Sequence, residues 1–379
     1  MRNDSDPQKK IIKFTDVTET VCTHLQMPGI VSDALFTDYD NDGFADILID
    51  GECMPLQLYK NNMGRNFIPV SVEAFHHTNG WYNSIAAGDF DNDGDMDYIA
   101  GNLGLNSKYK ATKAEPVSVR YNDYNKDGAI DVFLFSYNNG KEYPYQTRTV
   151  FTEQITTLKK KIFYYQDFGS MGYTDIFSEE QRKDDKELKA YLMASLYIEN
   201  IGNSKFSVKP LPMQAQTAPM FGIVPFDIDA DGNLDILAVG NSYAPEALTG
   251  RYDASIGWVL KGDGKNDFIY MPPFVSLFTV SGDAKSFVKL QGKSNRCMLL
   301  AAQNRGPFKA FQTKAYCYPL QRNDVYVIYT LTNGLKRKEE FYYSNSYYSQ
   351  SGRFAVTDNT VKALDIFSAD GNARHIQLR

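Results

Sequence analysis

The chain carries the pattern D-x-[DN]-x-D-G-x-x-D four times: "DYDNDGFAD" from Asp38, "DFDNDGDMD" from Asp89, "DYNKDGAID" from Asp123 and "DIDADGNLD" from Asp227. No other feature constrains the fold so tightly. Two carboxylates about 5 Å apart repel by roughly 1 kcal/mol in water and about 3 kcal/mol near a protein surface. A chain that repeats such crowding must offset it. A hairpin turn needs one Asp-Gly, not acids at the first, third, fifth and ninth positions as well. The pattern suits a cation cage. Alternate residues of a tight turn point the same way, so positions 1, 3 and 5 converge, and the glycine at position 6 permits the backbone to close. Calcium takes six to eight hard oxygen ligands at about 2.3–2.6 Å. Four side chains, a backbone carbonyl near position 7 and a water would supply them.

The candidate ligands are Asp38, Asp40, Asp42 and Asp46; Asp89, Asp91, Asp93 and Asp97; Asp123, Asn125, Asp127 and Asp131; and Asp227, Asp229, Asp231 and Asp235. That makes about four Ca2+ sites. Asn125 leaves the third loop one carboxylate short, so that site is expected to be the weakest. Asp95 falls at position 7, where a backbone carbonyl is the expected ligand, and its side chain is expected to face solvent. An EF-hand is excluded, because position 12 is Ile49, Ala100, Leu134 or Ala238 where that loop needs Glu. The flanks also read as strands: "ILID", "YIAG", "VFLF" and "ILAV" follow the loops, and "ALFT", "SIAAG", "VSVRY" and "FGIVPF" precede them. Four divalent ions would more than cancel the formal net charge of −6. The acidic balance belongs to the loops and implies no basic partner.

Strand, acidic turn, strand is half a propeller blade. The first two intervals between loops suit one four-stranded blade each, and the third suits two blades or one blade and an insertion. Hairpin signals at 58–70, 196–211 and 258–271 supply outer strand pairs, and 283–314 reads as a degenerate blade without acids. The stretch 151–191 breaks the pattern with helix formers, Ile155, Leu158 and Ile162 at helical spacing, and a helix start at Ser178. Its lysine run, 159–161, reads as a solvated face. The 26 Tyr and 24 Phe favour strands. The expectation is an all-β chain: a calcium-binding β-propeller over 1–320, a helical insertion at about 151–191, and a C-terminal β module over 321–379.

Several function classes fall away. There is no basic stripe for nucleic acid and no run of 18 apolar residues to span a membrane. Cys22, Cys53, Cys297 and Cys317 form no CxxC and read as buried free thiols or at most one bridge. The N-terminal "MRNDSDPQKK" is too polar for a signal peptide. No GxSxG and no Cys–His pairing stands out, and the loop acids are committed as ligands, so the chain is not expected to be an enzyme. Two alternatives remain open. One is a carbohydrate-active enzyme of the polysaccharide lyase type. The other is a lectin-like glycan binder using Phe341, Tyr342, Tyr343, Tyr347 and Tyr348, rings that read equally as a half-buried strand.

With these residues in view, the loops resemble the FG-GAP/VCBS repeats of integrin-type β-propellers. The segments "FTDVTETV", "GECMPLQLYKN", "GNLGLNSKYKA" and "GNSYAPEALTGRYDASIGWVLKGDG" are similar to exported VCBS-repeat proteins of Bacteroidetes-type bacteria. The tail at 347–376 resembles the ASPIC/UnbV module, which also occurs in cartilage acidic protein. The resemblance implies calcium binding, export, and a surface or matrix role with protein or glycan partners. It places the chain outside the cell, at the outer-membrane surface or in the periplasm, as part of a longer exported protein. Two departures stand out: about five blade-like units against seven in an integrin-type ring, and "DIFSADG" where the ASPIC end has a tryptophan-proline stretch.

Overall fold

The computed structural model describes residues 2–6, 8–343 and 346–378. Five four-stranded antiparallel blades converge, propeller-fashion, on one narrow cavity, the first two joined through Glu52 and Met54 with Trp81 and Gly80 into one eight-stranded sheet. Blade 1 is Ile30–Thr37, Asp46–Met54, Gln57–Asn61 and Phe67–Val70. Blade 2 is Gly80–Gly88, Asp97–Asn102, Leu196–Asn200 and Phe206–Pro210. Blade 3 is Met220–Phe226, Asp235–Gly240, Trp258–Gly262 and Phe268–Tyr270. Blade 4 is Ala284–Gln291, Arg296–Gln303, Lys309–Pro319 and Phe354–Thr357. Blade 5 runs Lys336–Glu340, Asp324–Leu331, Val361–Ser368 and Ala373–Gln377 in spatial order. Phe36, Ala86, Pro225, Lys289, Glu339 and Tyr342 bring all five blades to the cavity wall.

The continuous apolar runs after the loops have a simple cause. A blade inside the ring is buried on both faces, so both alternating sets of side chains must be apolar. Tyr98 and Ala100 pack on blade 1 with Leu35, Leu48 and Leu58, whereas Ile99 between them packs on blade 3 with Ile223 and Ile236. Blade 3 repeats the rule: Ile236 and Ala238 face blade 2, and Leu237 and Val239 face blade 4 with Phe287 and Leu299. Each such burial contributes about 1.5–3 kcal/mol. The inner strands approach closely. A Cβ on Gly222 would lie 2.6 Å from the Phe287 Cβ, so no larger residue fits there.

Blades 1 and 5 close the ring differently. Among the described residues no apolar cluster joins them. Glu340 accepts hydrogen bonds from Thr37 Oγ1 at 3.0 Å and from the Asp38 N–H, and Lys338 donates to Asn41 Oδ1 at 2.5 Å. The outer face of blade 1 is instead covered by the N-terminal segment through Cys22 and Leu25. All four cysteines are buried free thiols.

Two segments sit differently from their expected places. The third acidic loop is not in a blade of the ring. Its hairpin, Val117–Asn122 with Asp131–Asn138, forms a separate sheet with Lys141–Pro144 and Lys186–Ala190. This sheet lies between the second and third strands of blade 2. Five short helices between Arg148 and Arg182 cover it, with a core that includes Tyr124, Phe133, Phe151 and Phe177. The helical stretch read at 151–191 is therefore part of a larger insertion, and the hairpin at 196–211 completes blade 2. Ser178 does start a helix, with a reciprocal capping box to Gln181. Lys161 donates to the Ile176 carbonyl, and Lys159 and Lys160 are exposed.

The second segment is the C-terminal stretch. It does not stand apart: it builds blade 5 and also gives blade 4 its Phe354–Thr357 strand. Between these, Ser346, Ser349 and Ser351 accept from the Ile223, Phe287 and Lys289 N–H groups on the inner strands of blades 3 and 4. Serine hydroxyls there replace a neighbouring backbone.

Candidate metal centres in the aspartate loops

All four loops share one backbone. Position 4 has a left-handed φ in each: Asn41 (56°), Asn92 (62°), Lys126 (61°) and Ala230 (60°). Asn adopts that conformation readily, whereas Lys126 and Ala230 hold it at a cost of about 1–2 kcal/mol each. The sixth-position glycines are also left-handed, at 87° to 97°. The first carboxylate gathers the turn's N–H groups. Asp38 accepts from Asp42 N and Gly43 N at 3.0 and 2.9 Å, Asp123 from Asp127 N and Gly128 N at 3.0 and 2.8 Å, and Asp227 from Asp231 N and Gly232 N at 3.2 and 2.8 Å. Asp89 accepts from Asp93 N at 3.1 Å.

The ninth carboxylate ties the turn to the sheet. Asp46 accepts from Tyr39 N and Asn61 N, Asp97 from Phe90 N and Asn200 N, and Asp235 from Ile228 N and Gly262 N, all between 2.6 and 3.3 Å. In each case the second donor opens the way to the outer hairpin of the blade. These bonds make the ninth acid a structural residue as well as a possible ligand. Asp131, in the inserted sheet, accepts from Tyr124 N at 3.2 Å.

Three of the loops concentrate carboxylates. Asp38, Asp40 and Asp42; Asp89, Asp91 and Asp93; and Asp227, Asp229 and Asp235 each offer oxygens within 4.8 Å of one another. The third loop forms no such group among the described residues. There Asn125 Nδ2 donates to Asp127 Oδ2 at 2.9 Å, so the amide turns a donor toward the acids. Asp40 Oδ1 is buried with no hydrogen-bond donor, while its Oδ2 pairs with the Lys60 ammonium. The donor set is all hard oxygen, which fits Ca2+. The chemistry such an ion supplies is charge neutralisation. The chain's own part is to hold the oxygens together.

With no divalent charge in the loops, burial and the neighbouring aspartates push Asp46 and Asp89 up to about 7 and Asp97 and Asp235 up to about 8. Burial lifts Asp227 to about 6 and is partly opposed by Arg337. Blade 5, which has no acidic loop, supplies this built-in charge. Arg337 donates to the Gly232 carbonyl at 2.8 Å, the Lys338 N–H donates to Asp89 at 2.7 Å, and the Lys338 side chain pairs with Glu340 at 2.9 Å. The run "KRKEE" thus touches all three ring loops. It carries no periodic signal, and a basic run reads as surface until the topology places it on the axis. Asp95 is partly exposed, and it also accepts from Asn41 Nδ2 at 2.6 Å and so links loop 2 to loop 1.

The aromatic stretch at 339–354 is divided. Phe341 is buried, Tyr347 packs against Phe221 at 4.9 Å, and Tyr343 and Tyr348 are exposed, Tyr348 at 88%. Ser344 and Asn345 of that stretch lie outside the described residues. No helix among the described residues is long and apolar enough to cross a membrane.

Comparison with known proteins agrees with the loop geometry. A family model described as an FG-GAP-like repeat matches residues 38–100, the span of loops 1 and 2. The uncharacterized protein YybI of Bacillus subtilis (strain 168) is 27% identical over 189 residues. That match covers 48% of this chain and 66% of the relative's own length.

Proposed function

We propose that this chain is a calcium-stabilised, non-enzymatic binding or scaffold module of an exported VCBS-type protein, in which the ions stiffen a propeller that presents a face to protein or glycan partners. One observation carries the reading: three ring loops each gather three carboxylates on a backbone whose N–H groups are already spent on holding them. The acids therefore have cation binding left to do. Extracellular calcium modules work at affinities of about 0.1–1 mM, so such sites fill outside a cell and stay mostly empty in a cytosol. Metal analysis by mass spectrometry after dialysis to equilibrium against millimolar calcium, compared with the protein-free side, tests this. The expected content is two to three calcium ions per chain, falling to none after chelator. No bound calcium, with none taken up in titration, would sink the reading.

A glycan partner is favoured by the exposed Tyr343 and Tyr348 rings beside small polar residues. Rings of this kind stack on sugar faces. Replacing both with Ala is expected to abolish binding on a glycan array and leave the melting temperature unchanged. If the unaltered protein binds no glycan on the array, the glycan reading fails.

A further inference from the structure

The residue before the blade donor that caps each ninth aspartate differs in charge among the three ring loops. The donors are the N–H groups of Asn61, Asn200 and Gly262. The residues before them are Lys60, Glu199 and Lys261. Lys60 reaches into loop 1, where its ammonium pairs with Asp40 and, at 2.8 Å, with Asp42. Lys261 does the same in loop 3 of the ring, pairing with Asp229 and, at 2.9 Å, with Asp231. In both loops the ammonium sits on the third- and fifth-position acids. Among the described residues loop 2 has no such guest. Glu199 stands at that place, and the neutral amide of Asn266, from the blade 3 hairpin, donates to Glu199 at 2.8 Å and to Asp91 at 3.2 Å.

From this we propose that Lys60 and Lys261 are resident counter-ions that set the calcium affinity of their loops, and that the Asp89–Asp97 loop, with Glu199 in their place, is the tight site that fills first. The inference rests on the calcium reading above and orders its sites. The ammonium stabilises the crowded turn when it is empty and repels a divalent ion when one arrives. The carboxylate does the reverse. A unit charge about 4–5 Å from a divalent ion, largely solvated, changes affinity by about tenfold or more. Both lysines are partly exposed, so each can swing outward on a flexible stem as the loop fills.

Calorimetric calcium titration of the full chain tests the order. The unaltered protein is expected to show one tight step followed by two weaker ones. The Lys60→Gln, Lys261→Gln double variant is expected to tighten the weak steps about tenfold and, in chelator, to melt lower than the parent. Glu199→Lys is expected to weaken the tight step about tenfold and leave the others in place. The opposite signs in calcium and in chelator separate a counter-ion from a packing role, which would lower stability in both and move no affinity. Three steps of equal affinity, unmoved by these variants, would overturn the order while leaving calcium binding intact. No heat and no uptake at all would overturn the calcium reading itself.

Discussion

Stripped of divalent ions by chelator, the protein is expected to melt about 10 °C below its melting temperature in saturating calcium. Each site filled to about a hundredfold over its dissociation constant adds about 2.7 kcal/mol, because the ion binds the folded loop and not the unfolded chain. The three loops that gather carboxylates then add about 8 kcal/mol together. Unfolding entropy scales with chain length at about 2 cal/mol/K per residue, so for a chain of this size about 8 kcal/mol moves the midpoint by about 10 °C. The effect is concentrated where the ring is weakest. Blades 1 and 5 meet through Glu340, Lys338, Thr37 and Asp38, and Asp38 is itself the first acid of loop 1. An open, repelling loop 1 therefore loosens the polar seam that closes the ring. The triple variant Asp40→Asn, Asp91→Asn, Asp229→Asn removes the third-position carboxylate from each loop and is expected to cut the calcium shift to a few degrees. Magnesium should give a smaller shift than calcium, since the smaller ion demands stricter geometry and gives up water reluctantly. Scanning calorimetry with and without chelator decides. An equal melting temperature in both would end the claim that these turns are cation cages.

The loops and the blade strands were legible in the sequence because each is local. The turn is set by Asp-Gly at fixed offsets, and the neighbouring strands by apolar runs that a two-sided burial requires, as Tyr98, Ile99 and Ala100 show. The chain's topology was not legible to the same degree. The third loop obeys the same local rules as the others, down to the left-handed Lys126 and the Asp123 cap, yet it sits in an inserted sheet. Only the partner of Tyr98, Ile99 and Ala100 betrays this: they pair with Leu196–Ile198, nearly a hundred residues on, not with the next strand along the chain. Sequence pattern fixes a strand's faces and says little about which distant strand it joins. The charges that matter for the site were missed for the same reason. Lys60, Lys261, Arg337 and Lys338 lie outside the nine-residue pattern, and they reach the loops through the third strands and the fifth blade. One local clue existed: a charged residue before the third-strand donor in "LYKN", "YIEN" and "VLKG". The C-terminal strand exchange between blades 4 and 5 leaves no periodic trace at all, because Phe354–Thr357 is a short apolar strand like many others.

In chelator, the melting temperature is highest near pH 5 and falls as the pH is raised to 8, opposite to the rise that paired carboxylates usually give. In an unfolded chain aspartates ionise near pH 4. In the folded, metal-free loops Asp46 and Asp89 hold their protons to about 7, and Asp97 and Asp235 to about 8. Between those limits the folded state binds more protons than the unfolded one, so raising the pH favours unfolding. Moving one carboxyl from about 4 to about 7 corresponds to about 4 kcal/mol. Closed and empty, the loops lose stability as these carboxyls ionise, and a proton or a divalent cation relieves what the Lys60 and Lys261 ammonium groups leave uncompensated. On the proposed reading calcium takes the place of the protons, so its binding is expected to release them and to tighten as the pH rises. In saturating calcium the same scan is expected to keep only a shallow fall from pH 5 to 8. One carboxyl outside the loops marks the remainder. Asp50 is fully buried beside Asp33, neither of its carboxyl oxygens has a hydrogen-bond partner, and burial pushes it well above the usual range. Asp33, opposite it on the neighbouring strand, is pushed up to about 6. Asp50→Asn should therefore remove the part of the slope that calcium does not abolish, and leave the calcium-sensitive part in place. Melting curves at several pH values, in chelator and in calcium, provide the check. A chelator profile that is flat or climbs between pH 5 and 8 would show that the buried aspartates are already ionised without an ion, and that something other than a proton or a divalent cation relieves their crowding.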